Sequence, residues 1–294
     1  MLTTGIDLLV LGGLGVDIAV RVPTLPLPVA DSVTVPVDLR IGNTGAGVAL
    51  AARAIGLRVA VVDTVGDDPA GAVVRAALDR AGVESWLLPD HRGTRRSVSL
   101  IDPHGARMSL YDPRGEWAGP PPLAPEQLDD LTVQARFVHV SIMDWMRGLL
   151  PAVARLDRPV STDLHDWDGS SAYHRPFAAA ADVVFVSGVR LGEPDAILAE
   201  IVQGGRASTA VATLGARGAR LLEAGSAPVD VPAATPAAPV VDTNGAGDAF
   251  VAGFIAGHLQ GWPAATSARY AAAVAAAACT HHGMEYPPKL LPQP

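Results

Sequence analysis

Cysteine and aromatic residues are scarce in this chain, and both shortages limit how its core can be built. The 294 residues include one cysteine, Cys279, so no intrachain disulfide can form. Cys279 lies in an alanine-rich run, where a small buried thiol is expected. Aromatic residues make up 5% of the chain, while hydrophobic residues reach 49%. The core volume must therefore come from Ala, Val, Leu and Ile, which favours helices packed closely on a sheet.

The chain also lacks a long hydrophobic run and an excess of positive charge. No stretch approaches the roughly 18 apolar residues of a membrane span, and no basic segment precedes the short apolar run near the start. We therefore expect no membrane contact and a cytoplasmic location. The formal net charge is −8, and no run of Lys or Arg offsets it. An acidic surface repels a phosphate backbone, which argues against nucleic acid as a partner.

Short apolar segments alternate with helical segments over most of the length. The segments that resemble buried strands, because they are continuous apolar runs, are residues 6–11, 59–62, 137–141, 160–163, 183–186 and 210–213. Residues 70–80 predict a helix that Gly82 ends. Such alternation is typical of the α/β class with a parallel sheet.

A second strand pattern occurs in two parts of the chain. Apolar and polar residues alternate along residues 33–41, as in a strand with one buried and one free face. Residues 97–101 and 107–111 flank a short turn, which predicts a hairpin. We expect these strands to form a separate small sheet, a lid made of residues 13–41 and 93–118. Its free face needs cover, which predicts a homodimer through the lid.

The sharpest chemical signal is Gly245-Ala246-Gly247-Asp248, at the start of an apolar helical run. Small residues there leave backbone N–H groups uncovered, and the helix dipole adds partial positive charge, so the position favours an anion. Asp248 supplies a carboxylate in the first turn. Phosphoryl transfer to a hydroxyl requires this pairing, because the base takes the proton and the amides stabilise the moving phosphoryl group. Taken alone, a Gly-x-Gly turn would be an ordinary structural feature.

Two further segments suit a ligand that carries hydroxyl groups. Gly42 to Gly47 leads into a helix, and glycine permits close contact between backbone and ligand. Asp17 follows the first strand, and a carboxylate can accept two hydroxyl hydrogen bonds from a vicinal diol. Structural glycines at a helix start and an exposed turn aspartate are the alternative explanations.

A third glycine-rich segment, residues 213–218, follows the last buried strand. Gly215 and Gly218 free their backbone amides, and Thr213 can donate a hydroxyl. These groups could hold phosphates or a ribose. A plain β-turn is the alternative explanation.

The string from Asp242 to Asp248 resembles the signature Asp-Thr-x-Gly-Ala-Gly-Asp of the ribokinase-like (PfkB) carbohydrate kinases, and the likeness extends from Gly12 to Gly283. It implies a single ribokinase-like domain over residues 1–294. The implied fold is a three-layer α/β/α sandwich with a mostly parallel central sheet plus a small β-sheet lid. The implied activity is ATP-dependent phosphorylation of a sugar or nucleoside hydroxyl. The implied cofactors are ATP and Mg²⁺, and a monovalent cation such as K⁺ near Asp242 is left open.

The resemblance also implies a role for each residue of the motifs. Asp248 would be the general base, with the anion hole at Gly245, Ala246 and Gly247. The positions implied for the acceptor are Asp17, Gly42, Asn43 and Gly47. The positions implied for the nucleotide are Ser187, Thr213, Gly215, Gly218, Asp242 and Asn244.

Two positions depart from the family pattern. The family often has Asn-x-x-Glu after the strand at 183–186, and the glutamate helps to organise magnesium, whereas this chain has Ser187 and Arg190. An arginine cannot support a cation, although it could contact a phosphate, and Glu193 could serve after a register shift. Gly47 stands where many sugar kinases have asparagine. The magnesium ligands are therefore unassigned, and the case for ribose as the acceptor is weakened.

Other classes of protein fit the sequence less well. A dinucleotide-binding dehydrogenase would need a small third residue in its fingerprint, where Ile18 stands. A P-loop ATPase is excluded because no Gly-x-x-x-x-Gly-Lys-Ser/Thr occurs. The stronger alternative is a catalytically weak ribokinase-like protein that binds a ligand or regulates. The intact segment from Gly245 to Asp248 argues against it, since a binder has no need of a base beside an anion hole.

Overall fold

The structure is a computed structural model that describes residues 5–29, 32–104, 107–189 and 191–294. The strands are β1 (Ile6–Leu11), β2 (Gly15–Arg21), β3 (Val37–Gly42), β4 (Val59–Val65), β5 (Glu84–Pro89), β6 (Arg96–Ile101), β7 (Arg107–Asp112), β8 (Ala135–Ser141), β9 (Val160–Asp163), β10 (Val183–Ser187), β11 (Thr209–Thr213), β12 (Ala219–Glu223) and β13 (Val229–Val231). The helices are α1 (Thr44–Ala54), α2 (Pro69–Ala81), α3 (Pro125–Thr132), α4 (Leu150–Val153), α5 (Arg175–Ala180), α6 (Pro194–Gln203), α7 (Ala246–Leu259) and α8 (Ala264–Ala278).

Nine strands form the central sheet, in the order β13-β12-β11-β10-β9-β8-β1-β4-β5. Every neighbouring pair from β11 to β5 is parallel, and β12 and β13 add an antiparallel edge. The mostly parallel sheet predicted from the buried apolar runs is confirmed. All the parallel strands point their carboxyl ends to one edge, where α/β proteins bind their ligands.

The two faces of the sheet are covered by different helices. Along β1, Leu8 and Val10 pack with α1, α2, α7 and α8, whereas Leu9 and Leu11 pack with α3, α4, α5 and α6. Side chains alternate between the faces of a strand, so a continuous apolar run is what burial on both faces requires. The predicted three-layer α/β/α arrangement is confirmed.

A separate sheet has the order β3-β2-β6-β7. The β2–β6 pair is parallel and the two outer pairs are antiparallel. Its strand β3 begins at Val37, so the predicted strand start at residue 33 is wrong. Pro36 explains the late start, since proline lacks the N–H that a strand interior must donate.

A buried ion pair joins the small sheet to the large one. Asp63 of β4 is fully buried and pairs with Arg95, which immediately precedes β6. The same carboxylate accepts hydrogen bonds from the N–H of Leu14 at 2.7 Å and from Nε1 of Trp145 at 3.0 Å. Losing one partner of a buried ion pair is costly, so this pair holds the inner end of the small sheet in place.

Helices α7 and α8 approach each other through small residues. A methyl group added at Gly253 would come within 2.8 Å of the α-carbon of Ala271, and one added at Gly257 would meet Ser267. Ten consecutive residues of α7, from Asp248 to Gly257, are buried. The helix that carries Asp248 is therefore held on all sides. In the described ranges, no helix combines the length and apolarity needed to cross a bilayer.

Candidate active site

A cavity of about 610 Å³ lies between the inner face of the small sheet and the carboxyl edge of the large one. Four residues of the predicted site contribute to its wall: Asp17, Asn43, Asn244 and Asp248. The volume falls within the range of roughly 300–1,000 Å³ that is usual for small-molecule sites. The topology therefore brings together residues that are more than 200 positions apart in the chain.

The start of α7 presents unused backbone donors to open space. Gly245 precedes the helix with φ of 79°, a left-handed conformation that favours glycine. The N–H groups of Gly245, Gly247 and Asp248 have no acceptor among the described residues. A methyl group added at Gly247 would meet no atom within 4 Å. Free donors at the positive end of a helix dipole are suited to bind an anion.

Asp248 stands in the first turn of this helix and is 8% exposed. Burial raises the pKa of its carboxyl well above the usual value, the charges of Asp163 and Asp17 raise it further, and Arg107 opposes them. No described residue donates a hydrogen bond to this carboxylate, so its ionised form lacks stabilisation by hydrogen bonds. A carboxylate of raised pKa in a cavity has the properties of a general base.

Gly42 and Gly47 make room for the two carboxylates of the site. A methyl group at Gly47 would overlap the carboxylate of Asp248, and one at Gly42 would overlap that of Asp17. Both glycines were predicted to approach the acceptor directly. Neither belongs to the cavity wall, and the close contacts give each glycine a role in seating an acidic side chain.

Asp17 and Asn43 present polar groups to the same end of the cavity. Asp17, on β2, is 8% exposed and accepts a hydrogen bond from Oγ of Ser97. Asn43 has φ of 69°, and its Nδ2 is buried without a partner in the described residues. A buried amide without a partner is costly, so a ligand oxygen here would complete its hydrogen bonding.

The cavity is also lined by aromatic residues that the sequence analysis did not identify. Tyr111 on β7 is 49% exposed, and Trp117 and Tyr173 come from two separate connections. The backbone N–H of Trp117 donates to Asp144 at 2.7 Å, and its Nε1 donates to the carbonyl of Pro120 at 2.9 Å. The hydroxyl of Tyr173 donates to the carbonyl of Ile142 at 2.8 Å. These contacts fix the two rings. The tryptophans are scattered along the chain, so no local pattern indicated their convergence.

His174 lies beside Tyr173 and also lines the cavity. Nδ1 of His174 is buried without a partner among the described residues. Burial lowers the pKa of His174, and the nearby His165 lowers it further. The ring is thus favoured in its neutral form, which can either donate to or accept from a ligand hydroxyl.

Four of the positions predicted for the nucleotide lie at the same edge but outside this cavity wall, namely Ser187, Thr213, Gly215 and Gly218, whereas Asn244 lines the cavity. Ser187 ends β10 and Thr213 ends the neighbouring strand β11. Gly215 has φ of 59°, in the turn that follows. Gly218 has a structural reason to be glycine, because an added methyl would overlap the backbone of residues 231–233. Arg190 lies outside the described residues.

Asp242 is engaged by three donors. Its carboxylate accepts from Nη2 of Arg40 at 3.2 Å, from the N–H of Asn244 at 2.9 Å and from the N–H of Gly283 at 3.2 Å. Arg40 belongs to β3, so this pair connects the small sheet to the loop before α7. Within the described ranges, no group of three His, Cys, Asp or Glu side chains could hold a metal ion.

A three-layer α/β/α fold, with a buried carboxylate beside an open helix end under a small sheet, defines a phosphotransferase. Residues 177–290 match the model of the pfkB family of carbohydrate kinases. The acarbose 7(IV)-phosphotransferase of Actinoplanes sp. is 45% identical over 276 residues, which are 93% of this chain and 92% of that protein. This chain therefore belongs to the pfkB family of carbohydrate kinases.

Solved structures agree with this assignment. A microbiome-derived acarbose kinase superposes with a TM-score of 0.87 at 43% identity, covering 95% of this chain and 94% of that one. The ribokinase of Arabidopsis thaliana, solved with ribose and ATP, superposes with a TM-score of 0.80 at 20% identity, covering 98% and 96%. The second likeness shows the fold alone. The chain is an ATP-dependent carbohydrate kinase that transfers phosphate to a hydroxyl, and the expectation of such an enzyme is confirmed.

Proposed function

We propose that this kinase phosphorylates acarbose or a similar oligosaccharide, with Asp248 as the general base. The observation that carries the proposal is the buried Asp248 carboxylate beside the open amino-terminal end of α7, within one cavity. Two relatives at 45% and 43% identity are both named for acarbose. A nucleoside acceptor has no comparable support among the close relatives.

The proposed reaction assigns one step to each part of the site. Asp248 accepts the proton of the acceptor hydroxyl, whose oxygen bonds to the γ-phosphorus of ATP as the bond to the β-phosphate oxygen breaks. The N–H groups of Gly245, Ala246 and Gly247 donate to the phosphoryl oxygens, of which that of Ala246 now bonds the carbonyl of Thr243 at 3.3 Å. The rest of ATP lies across residues 213–218 and 242–247. Thr213 and Asn244 in these segments contact it, together with Ser187 at the end of β10. Asp17 and Asn43 hold the acceptor.

The phosphates of ATP are proposed to carry the magnesium ion. Mg²⁺ keeps several waters and is commonly bound through substrate phosphates plus one or two carboxylates. Residues 5–29, 32–104, 107–189 and 191–294 contain no preformed cluster of three His, Cys, Asp or Glu ligands, which fits that mode of binding. Magnesium would then neutralise charge on the phosphates, while the residues of this chain orient the reacting groups.

A monovalent cation near Asp242 stays a prediction. The Asp242 carboxylate already accepts from Arg40, whose side chain is 13% exposed, so a cation would have to share that carboxylate with a buried guanidinium. Turnover measured in K⁺ and in a bulky organic cation would decide the matter. Equal rates would exclude a K⁺ requirement.

The extent of the cavity supports an acceptor larger than one sugar ring. Asn43 and Asp248 belong to elements on one face of the large sheet, whereas Trp145, Tyr173 and His174 belong to elements on the other. The cavity thus passes over the whole thickness of the sheet. Each end has a buried nitrogen without a partner, Nδ2 of Asn43 and Nδ1 of His174. A first ring at Asp17 and a second beside Tyr173 would use both ends.

The small sheet is proposed to act as a lid and as a dimer interface. Apolar residues occupy most positions of its outer face, which also carries Arg96 and Asp112 at one end. The exposed or half-buried apolar residues of this face are Ile18, Val20, Val37, Leu39, Val98, Leu100, Met108 and Leu110. A contiguous exposed apolar patch usually marks a protein interface. A second copy of the chain would cover this face, and lid closure over the acceptor would exclude water from the reaction. A cytoplasmic location, where ATP is available, completes the proposal.

The deciding experiment is ADP release with Mg-ATP and a set of acceptors: acarbose, maltose, glucose, ribose and adenosine. We expect release with acarbose to exceed release with every monosaccharide and with adenosine, and to disappear in Asp248→Asn. Faster release with ribose or adenosine would contradict the proposed acceptor. Absence of release with all acceptors, despite ATP binding, would favour the catalytically weak alternative.

A further inference from the structure

One arginine of the small sheet reaches across the cavity to the loop before α7. Arg107 is the first residue of β7 and lines the cavity together with Asn244 and Asp248. Its Nη1 donates to Oδ1 of Asn244 at 2.8 Å. Asn244 immediately precedes Gly245, so the guanidinium is held beside the open end of the helix.

Arg107 forms no ion pair within 4.0 Å with a carboxylate of the described residues, although its charge acts on Asp248 from a longer distance. Two other arginines line the same cavity, but Arg92 pairs with Asp90 at 2.8 Å and Arg95 pairs with buried Asp63. The contact from Arg107 to Asn244 is to a neutral amide. Of these three guanidinium groups, that of Arg107 is the one whose charge is available to a ligand.

Arg107 and the start of α7 place two sources of positive charge in the same part of the cavity. A helix amino terminus carries partial positive charge, so cations are stabilised at the opposite end. At α7, unused N–H groups and a guanidinium face the same space. An anion between them would interact favourably with both, and a guanidinium binds phosphate oxygens with paired, charge-assisted hydrogen bonds.

We infer that Arg107 is a catalytic residue that the small sheet supplies, and that its guanidinium contacts the γ-phosphoryl group during transfer. The inference rests on the proposed placement of that group at the start of α7. Arg107 donates hydrogen bonds to the phosphoryl oxygens as the new oxygen–phosphorus bond forms and the bond to ADP breaks, and it exchanges no proton. Asp248 keeps the role of base.

Supply from the small sheet has a functional consequence. The phosphoryl group meets its full set of donors only when the sheet covers the acceptor site. Transfer to water in an open site would lack Arg107, which limits wasteful hydrolysis of ATP.

The test compares Arg107→Ala and Arg107→Lys with a matched control, Arg21→Ala. Arg21 also reaches from the small sheet to the α7 side, with Nη2 at 2.8 Å from Nδ1 of His282, but it does not line the cavity. We expect Arg107→Ala to lower kcat by about 10²–10³-fold, as for loss of one oxyanion donor, with KM values changed only a few-fold. Lysine or added guanidinium ion should restore part of the rate. Arg21→Ala should keep the wild-type kcat.

Two outcomes would overturn the inference. One is a kcat of Arg107→Ala within a few-fold of wild type while Asp248→Asn is inactive, which leaves the proposed function intact. The other is an equal loss in Arg21→Ala, which would indicate a purely structural bridge. Thermal melting of each variant checks that the fold is retained.

A second measurement does not depend on the acceptor. We expect Arg107→Ala to weaken binding of ADP with aluminium fluoride, a mimic of the transferring group, by about tenfold or more, with ADP binding unchanged. Equal affinities of wild type and variant for the mimic would contradict the inference even if no acceptor is turned over.

Discussion

The start of α7 and the small sheet form opposite walls of one cavity, and they are built differently. At α7, glycine and alanine let backbones and carboxylates pack without gaps, and Asp248 is buried against Gly47. In the small sheet, one face carries the polar residues of the site and the other carries exposed apolar residues. In the proposed mechanism the first wall fixes the position of one base, whereas the second moves as a lid and is covered by a second copy of the chain. The predictions below test this contrast.

The largest effect is expected at the base itself. Asp248→Asn removes the proton acceptor but keeps the shape of the side chain, so turnover should fall by about 10²–10⁴-fold, the usual contribution of general base catalysis. Affinity for ATP, measured by calorimetry, should change little. Turnover close to wild type would remove Asp248 from the mechanism.

The pH profile of the wild type provides a check on the same residue. Burial and two neighbouring carboxylates raise the pKa of Asp248, so the protonated, inactive form should persist to a pH well above the ordinary value of 3.8. We expect kcat/KM to fall on the acid side through that raised pKa. An acid limb at the ordinary aspartate value would contradict the burial argument.

The next effect should follow from displacing the base without changing it. Gly47→Ala places a methyl group in the space of the Asp248 carboxylate, and a shift of about 1 Å can cost roughly 10²-fold in rate. The control is Gly192→Ala, where an added methyl meets no atom within 4 Å. Steady-state kinetics of both variants should show a loss of turnover at position 47 alone. Normal turnover of Gly47→Ala would show that α1 and α7 move apart and accommodate the methyl group without displacing the Asp248 carboxylate.

On the other wall, a charge on the outer face should separate subunits. Leu39→Asp or Leu110→Asp would bury a carboxylate in the proposed interface, so light scattering should report half the wild-type mass. Turnover should change only a few-fold, because neither residue lines the cavity. Val133→Asp, at an equally exposed position on another surface, is the control. A monomeric wild type would exclude the dimer.

The smallest effect concerns stability. A carboxyl with a raised pKa in the folded state favours unfolding at every pH above its unfolded value, so Asp248→Asn should melt at a higher temperature than wild type near neutral pH. The difference in melting temperature should shrink as pH falls toward about 4, since the Asp248 side chain is then increasingly protonated and neutral, like the asparagine of the variant. For a chain of this size, each kcal/mol corresponds to about 2–4 °C. Scanning calorimetry of both proteins measures this difference. A melting temperature of the variant below that of wild type would contradict the raised pKa of Asp248.

Much of the fold could be predicted from local patterns. The buried parallel strands, the hairpin of β6 and β7 and the end of α2 at Gly82 are found where apolar runs and glycine indicated them. Strands β5, β12 and β13 were not predicted. Strand β13 lies within residues 224–239, which are rich in alanine and proline, a composition that predicts a surface connection. The strand is not indicated by such a pattern because an edge strand needs little apolar character of its own.

The candidate site was predicted in part. Motifs contiguous in sequence, such as Gly245 to Asp248, were identified because one helix end contains both the proposed anion site and the proposed base. Tyr111, Trp117, Tyr173 and Arg107 were not identified as site residues, because they come from three separate segments and lie in no local motif that indicates chemistry. Their assignment depends on which loops meet at the carboxyl edge.

By itself, the amino-acid sequence determined the α/β class and the family likeness, and it pointed to Asp248 as the proposed base, because these depend on periodicity and on a contiguous motif. Tertiary structure alone decided that Gly42 and Gly47 seat Asp17 and Asp248. It also decided that Arg107 meets Asn244 and that the cavity extends over both faces of the sheet. The physical reason is that these features are contacts between segments distant in the chain, and only the packing of helices and strands brings such segments together.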